Sequence, residues 1–224
     1  MIDTGGARAW LIRHGESESN AGLPTNGPGV SPLTPLGRAQ AEQVAAAFTE
    51  PPSLIVSSTF VRARETAAPT RARFPEVPYE EWPVQEFTYL GELHGPRTTA
   101  DERRPMAEAY WERADPTATY GGNGESFAAL LTRAGAFLER LAARPEERLV
   151  AVFTHGLFIR ALLWSFATGI TTPDEAAMRS YHRFLQVCVT PNGSILELHP
   201  GPRVVAGATA HLTTPTPVRP PAMG

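Results

Sequence analysis

The sequence predicts an α/β fold, a three-layer α/β/α sandwich around a mainly parallel central sheet. Two observations predict it. The apolar runs Ala9-Trp10-Leu11-Ile12, Leu54-Ile55-Val56 and Leu149-Val150-Ala151-Val152-Phe153 have the length and continuity of strands buried on both faces. Each run then leads through polar or small residues into a helical pattern, and strands alternating with helices close into a parallel sheet.

Residues 34–48 are rich in Ala, with Leu36, Val44 and Phe48 spaced for one helical face. Residues 60–72 read as a second helix, with Ser58 or Thr59 as its N-cap. Over residues 125–142, Phe127, Leu130, Leu131, Ala134, Phe137, Leu138 and Leu141 form one apolar stripe. Residues 157–167 are almost wholly apolar and predict a buried helix. Another helix is expected after Pro173, with Asp174 and Glu175 in its first turn. Phe184–Val189 and Ser194–Leu198 flank Thr190-Pro191-Asn192-Gly193 and read as a β-hairpin turned by Asn-Gly, with Cys188 a buried strand residue.

Residues 73–124 are less regular. Prolines at 75, 78, 83, 96, 105 and 116 and an aromatic-rich stretch predict a lid-like excursion over one end of the sheet. From Pro200 the chain carries six prolines and little periodicity. The expected organisation is a single domain over 1–199 and a Pro-rich tail over 200–224, extended and loosely packed. No internal repeat is found.

The chain has 224 residues, 42% of them hydrophobic and 19% charged, with a net charge of −3. That balance predicts no broad nucleic-acid or membrane surface, although a few Arg residues can still make a local pocket for a small anion. All 20 basic residues are Arg, so anion recognition must use Arg, His, amides or hydroxyls, and Schiff-base chemistry is excluded. The lone Cys188 permits no internal disulfide. No basic-then-apolar leader and no long apolar span is evident, and a cytoplasmic location is expected. The oligomeric state is left open, with a homodimer among the options.

Arg13-His14, Ser57-Ser58 and Thr154-His155 each lie just after one of the three apolar runs. Open α/β sheets bind ligands at the carboxyl ends of their strands, so the three motifs are expected to share one pocket. Two histidines and an Arg suggest either metal hydrolysis or phosphate chemistry. Divalent metals usually want carboxylates or thiolates as well, and a guanidinium beside a cation is unfavourable. Arg instead grips phosphate through parallel hydrogen bonds. The pocket therefore reads as phosphate-binding, with no metal and no cofactor.

Arg13-His14-Gly15-Glu16-Ser17, with Asn20 three residues on, resembles the signature of the histidine phosphatase superfamily in its phosphoglycerate-mutase-like branch. Leu33-Thr34-Pro35-Leu36-Gly37-Arg38-Ala39-Gln40-Ala41, the segment Ser57 to Ala67, Gly124-Glu125-Ser126 and Thr154-His155-Gly156 resemble further family blocks, in the family's order. The resemblance implies a phosphoglycerate-mutase-like fold and hydrolysis of a small phosphorylated metabolite through a phosphohistidine. It implies His14 as nucleophile, with Arg13, Arg62 and His155 on the phosphoryl oxygens and Asn20 supporting them. Glu86 is the implied proton donor, with Glu92 its rival, because the run Gly91-Glu92-Leu93-His94-Gly95 departs from the family's spacing. Arg13 and Arg62 would keep His14 neutral, and a backbone carbonyl would fix its tautomer.

One alternative is a phosphoglycerate mutase, disfavoured by Ser19 in the nucleophile loop and by the absence of Lys. Another is a non-catalytic phospho-ligand module, disfavoured by the presence of His14, Arg62 and His155. His94, His182, His199 and His211 read as structural or surface residues, and Arg97, Arg103 and Arg104 as a solvated loop face, with binding of a distal substrate group as the alternative.

Overall fold

Side chains in a strand point alternately to opposite faces of a sheet, and here both faces are apolar. The computed structural model describes residues 7–199, 203–209, 211 and 212. Strands β1 (Arg8–Arg13), β2 (Leu54–Ser57) and β4 (Leu149–Thr154) form the centre of the sheet. Leu11, Leu54, Val56, Val150 and Val152 face one way, while Ile12, Ile55, Ala151 and Phe153 face the other.

On the second face lie α1 (Pro35–Ala47) and α2 (Val61–Arg73), which bury Val44 and Ala67 with Phe48. The first face is covered by α4 (Phe127–Ala142), α5 (Gly156–Thr168) and α6 (Glu175–Val187), and by α3 (Ala100–Arg113), which adds Tyr110 and Trp111. The expected three layers are present. Burying one Leu- or Phe-sized side chain contributes about 1.5–3 kcal/mol, so the apolar stripe of α4 is a major source of cohesion. Helix starts agree with the local chemistry: Ser126 Oγ accepts from Ala129 N at 3.1 Å and Asp174 Oδ1 from Ala177 N at 2.8 Å.

The sheet adds β3 (Tyr79–Glu81), β5 (Ile195–His199) and β6 (Arg203–Ala208), in the order β3-β2-β4-β1-β5-β6. The pairs β3–β2, β2–β4 and β4–β1 are parallel, and β1–β5 and β5–β6 are antiparallel. In this register Arg13 pairs with Thr154 and Ser57 with Phe153. The three strand-end motifs therefore emerge side by side at one edge of the sheet.

Four expectations are corrected. Phe184 to Val187 end α6 rather than forming a strand, and Cys188 is the half-buried residue that caps it. The Asp174 cap starts a helix that runs on through this apolar stretch, whose Val187 and Val189 are exposed. The hairpin lies further on, between β5 and β6, so the sheet continues past the boundary expected at residue 199. The remainder of the expected tail, 213–224, lies outside the described residues. Helix α2 starts from Phe60, with no side-chain cap, instead of from Ser58 or Thr59. The 73–124 excursion contains β3, a 3-10 turn (Gly91–His94) and α3, so part of it belongs to the sheet. Among the described residues, no helix is long and apolar enough to cross a membrane.

A chain ending at His199 would lose β6 and expose β5 as an unpaired edge. It should melt roughly 5 °C below the full chain, equivalent to about 2 kcal/mol, by thermal denaturation followed in circular dichroism. An unchanged midpoint would show that β6 adds nothing to the domain.

Candidate active site

His14 leaves β1 at its carboxyl end and is 2% exposed. Its backbone N–H donates to Thr154 O at 3.0 Å, which ties the start of this loop to β4. Two side-chain hydrogen bonds orient its ring: Nδ1 to Gly15 O at 2.7 Å and Arg62 Nε to Nε2 at 3.0 Å. A carbonyl only accepts and a guanidinium only donates. Nδ1 therefore carries the hydrogen, and Nε2 presents a lone pair. Burial, then the charges of Arg62 and Arg13, hold His14 well below the ordinary histidine range, although the Gly15 carbonyl opposes them.

The loop after His14 is held by close backbone packing. A Cβ on Gly37 would stand 1.9 Å from Glu16 O, and one on Gly15 would stand 2.3 Å from Gly37 O. Only glycine fits this approach of α1 to the loop. Gly15 N donates to Thr66 Oγ1 at 3.0 Å, and that hydroxyl donates to Arg62 O at 2.6 Å, so Thr66 joins the loop to α2. Asn20 Oδ1 accepts from Ser17 N at 3.2 Å and from Asn192 Nδ2 at 3.0 Å, and Asn192 Nδ2 also reaches His14 O at 3.1 Å.

Arg62 stands in the first turn of α2 and is 6% exposed. Its Nη1 donates to Pro28 O. Burial is the main reason its pKa falls to about 10; Glu86 opposes that shift and Arg13 adds to it. His155 is fully buried at the end of β4, its ring centroid 5.0 Å from that of His14. Its Nε2 shares a 2.6 Å hydrogen bond with Ser58 Oγ. Burial first, then Arg62, His14, Arg133 and Arg13, push His155 well below the ordinary range. Arg13 donates through Nη1 to Thr190 O. Arg13 Nε and His155 Nδ1 are buried and have no partner among the described residues.

A cavity of about 190 Å³ opens over His14. Asn20, Arg62 and Glu86 line it, together with Pro28, Tyr89, His94 and Arg103. Arg13 and His155 are not on this wall; they adjoin His14 within the buried cluster. Glu86 Oε1 accepts from Leu157 N at 2.9 Å, at the positive N-terminal end of α5, and from Phe87 N at 3.2 Å. Glu92 is exposed and lines a neighbouring groove. The structure thus brings His14, Asn20, Arg62 and Glu86 to one cavity, and leaves Glu92 outside it. Among the described residues no group of three His, Cys, Asp or Glu side chains could hold a metal ion.

Sequence reasoning missed Ser58 as a partner of His155, Thr66 as a brace and Asn192 as a support. It also placed Arg103 and His94 away from the site, whereas both line the cavity. Buried hydroxyls carry no periodic signal, and the positions of Arg103 and His94 depend on how the excursion folds back. The positive charge gathered here, within an acidic chain, suits a small phosphorylated ligand.

Residues 9–198 match the model of the histidine phosphatase superfamily, branch 1. The chain is 31% identical over 155 residues to the adenosylcobalamin/alpha-ribazole phosphatase of Salmonella typhimurium, covering 66% of this chain and 73% of that protein. It is 32% identical over 157 residues to the metal-independent phosphoserine phosphatase of Arabidopsis thaliana, covering 68% and 65% respectively. The solved structure of mycobacterial glucosyl-3-phosphoglycerate phosphatase superposes with a TM-score of 0.64 at 27% identity, covering 86% of this chain and 89% of that one.

Substituting Gly37→Ala should push the His14 loop away from α1. A misplacement of about 1 Å can lower turnover roughly a hundredfold, and overpacking should cost about 1–3 kcal/mol. Steady-state kinetics alongside urea unfolding would check both; an alanine variant with unchanged turnover would contradict the packing argument.

Proposed function

This chain belongs to the histidine phosphatase superfamily, branch 1, and we propose that it hydrolyses phosphomonoesters of small metabolites through a phosphohistidine formed on Nε2 of His14. The observation that carries this reading is the pinned, neutral imidazole: Nδ1 held by Gly15 O and Nε2 facing a cationic donor. Phosphatases acting on small phosphorylated metabolites recur among its relatives.

In the first step a phosphoryl group enters, and Arg62 moves its hydrogen bond from Nε2 to a phosphoryl oxygen. The freed lone pair attacks phosphorus. The Nε2–P bond forms as the P–O bond to the leaving group breaks, and Glu86 gives its proton to the departing alkoxide. In the second step water attacks phosphorus, the N–P bond breaks, and the water proton passes to the Glu86 carboxylate. Inorganic phosphate leaves.

Charge spreads over three equatorial oxygens in such a transition state. Arg13, Arg62 and His155 are proposed to stabilise it, the first two by charge and His155 by a hydrogen bond, with Asn20 holding the loop. Losing one of these groups should raise the barrier by about 3 kcal/mol. The guanidinium groups supply positive charge without a metal. A cytoplasmic location is proposed alongside, because a single cysteine leaves no internal disulfide that needs an oxidising compartment.

Hydrolysis of p-nitrophenyl phosphate between pH 5 and 8 should survive EDTA and vanish in His14→Ala. Glu86→Gln should lower kcat/KM, which reports the first step, roughly a hundredfold or more for an alkyl phosphate and far less for p-nitrophenyl phosphate, because nitrophenolate leaves without a proton. Activity removed by EDTA, or equal losses on both substrates, would overturn the assignment.

A further inference from the structure

Arg13 Nε and His155 Nδ1, both buried and without a partner among the described residues, are close neighbours. A Cβ on Gly156, the residue after His155, would stand 3.3 Å from Arg13 Nε, and the rings of His155 and His14 are 5.0 Å apart. A guanidinium Nε always carries a hydrogen, so Arg13 Nε is a donor without an acceptor. Burial, then the charge of Arg62, hold His155 well below the ordinary histidine range, and a neutral ring keeps a single hydrogen. Whether Nδ1 is a second free donor depends on which nitrogen holds it.

Ser58 decides that. Its hydroxyl is fully buried and lies 2.6 Å from His155 Nε2, and Phe60 N donates to the same oxygen at 3.2 Å. A serine hydroxyl has one hydrogen to give and two lone pairs to receive with. Of these two partners, Phe60 N–H cannot accept, whereas a bare Nε2 can. With the hydroxyl hydrogen on Nε2, both contacts are made and the ring hydrogen sits on Nδ1. With the hydrogen on Nε2 instead, neither partner could receive the one on Ser58. Buried polar groups are nearly always paired, so the packing favours the first arrangement. The backbone holds Ser58 in place: its N–H donates to Phe153 O at 3.0 Å, tying the end of β2 to β4 two residues before His155. Phe60 packs edge-on against the imidazole, with ring centroids 5.2 Å apart at 70°. A hydrogen on Nδ1 leaves two free N–H groups together beside the nucleophile, which suits an incoming anionic oxygen. A bare Nδ1 would repel it.

Building on the phosphatase reading, we propose that Ser58 is a positioning residue, whose hydroxyl donates to His155 Nε2 and so keeps the ring hydrogen on Nδ1, where His155 and Arg13 Nε offer paired donors to the phosphoryl group in transfer. Ser58 acts through His155, and no bond to Ser58 forms or breaks.

Nitrogen-15 NMR of histidine-labelled protein reads the tautomer, with His155 assigned by the signal lost in His155→Gln. In the wild type near pH 7 the hydrogen should be on Nδ1 and Nε2 should be bare. In Ser58→Ala the hydrogen should move toward Nε2, because the nearby guanidinium groups favour a lone pair facing them. That variant should lose roughly tenfold or more in kcat/KM for p-nitrophenyl phosphate, short of the hundredfold expected when such a donor is removed outright. Ser58→Thr, which keeps the hydroxyl, should recover much of both. Ser57→Ala, which removes a hydroxyl bonded to Ser58 O at 2.8 Å and not to the ring, should leave the tautomer as in the wild type. The wild-type tautomer is read whether or not Ser58→Ala folds. A wild-type hydrogen on Nε2, or a folded Ser58→Ala with either the tautomer or the kinetics unchanged, would overturn the proposal. If the wild type hydrolyses p-nitrophenyl phosphate with that hydrogen on Nε2, this inference falls and the phosphatase reading stands. If it hydrolyses no phosphomonoester, both fall.

Discussion

The site depends on one hydrogen bond, Arg62 Nε to His14 Nε2 at 3.0 Å. Because arginine cannot accept, this contact forbids a proton on Nε2, and the Gly15 carbonyl takes the one proton left on the ring. Charge and geometry agree, since an imidazolium here would be buried against two guanidinium groups. Arg62 is itself braced by Pro28 O and, through Thr66, by Gly15. Nucleophile and cation are thus fixed relative to each other by the same few bonds.

The absence of lysine acquires a physical meaning at this site. Burial lowers Arg62 to about 10, and a guanidinium with that pKa remains charged near neutrality. A lysine subject to the same shift would fall to roughly 8 and would be partly neutral. Such clustered polar burial opposes stability. The offset comes from a sheet that is apolar on both faces, and the site lies at the strand ends, just beyond the packed layers. Backbone contacts hold it there, including the Gly15–Gly37 approach that admits no side chain.

Much of this was legible in the sequence. The apolar runs at Leu11, Ile55 and Val152 predicted buried parallel strands, and His14, Ser57 and His155 followed them directly. The sheet order then set β2, β4 and β1 side by side, bringing those ends together. The stretch around Phe184 to Val189 misled because a short apolar run reads equally as a strand or as the end of a helix; the Asp174 cap was the deciding signal. Arg103 and His94 were illegible for another reason. Tyr89, Tyr110, Trp111 and Tyr120 pack against one another across the excursion, and contacts of that range leave no periodic mark. They turn the excursion into a wall of the cavity.

The most direct test of the central claim is the ionisation and tautomer of His14, read by nitrogen-15 NMR of histidine-labelled protein and assigned by loss of the signal in His14→Gln. Ordinary histidine is mostly protonated about one unit below 6.5. At pH 5.5 His14 should remain neutral, with its hydrogen on Nδ1 and Nε2 bare. An imidazolium at that pH, or a hydrogen on Nε2, would contradict the account of how this site makes its nucleophile.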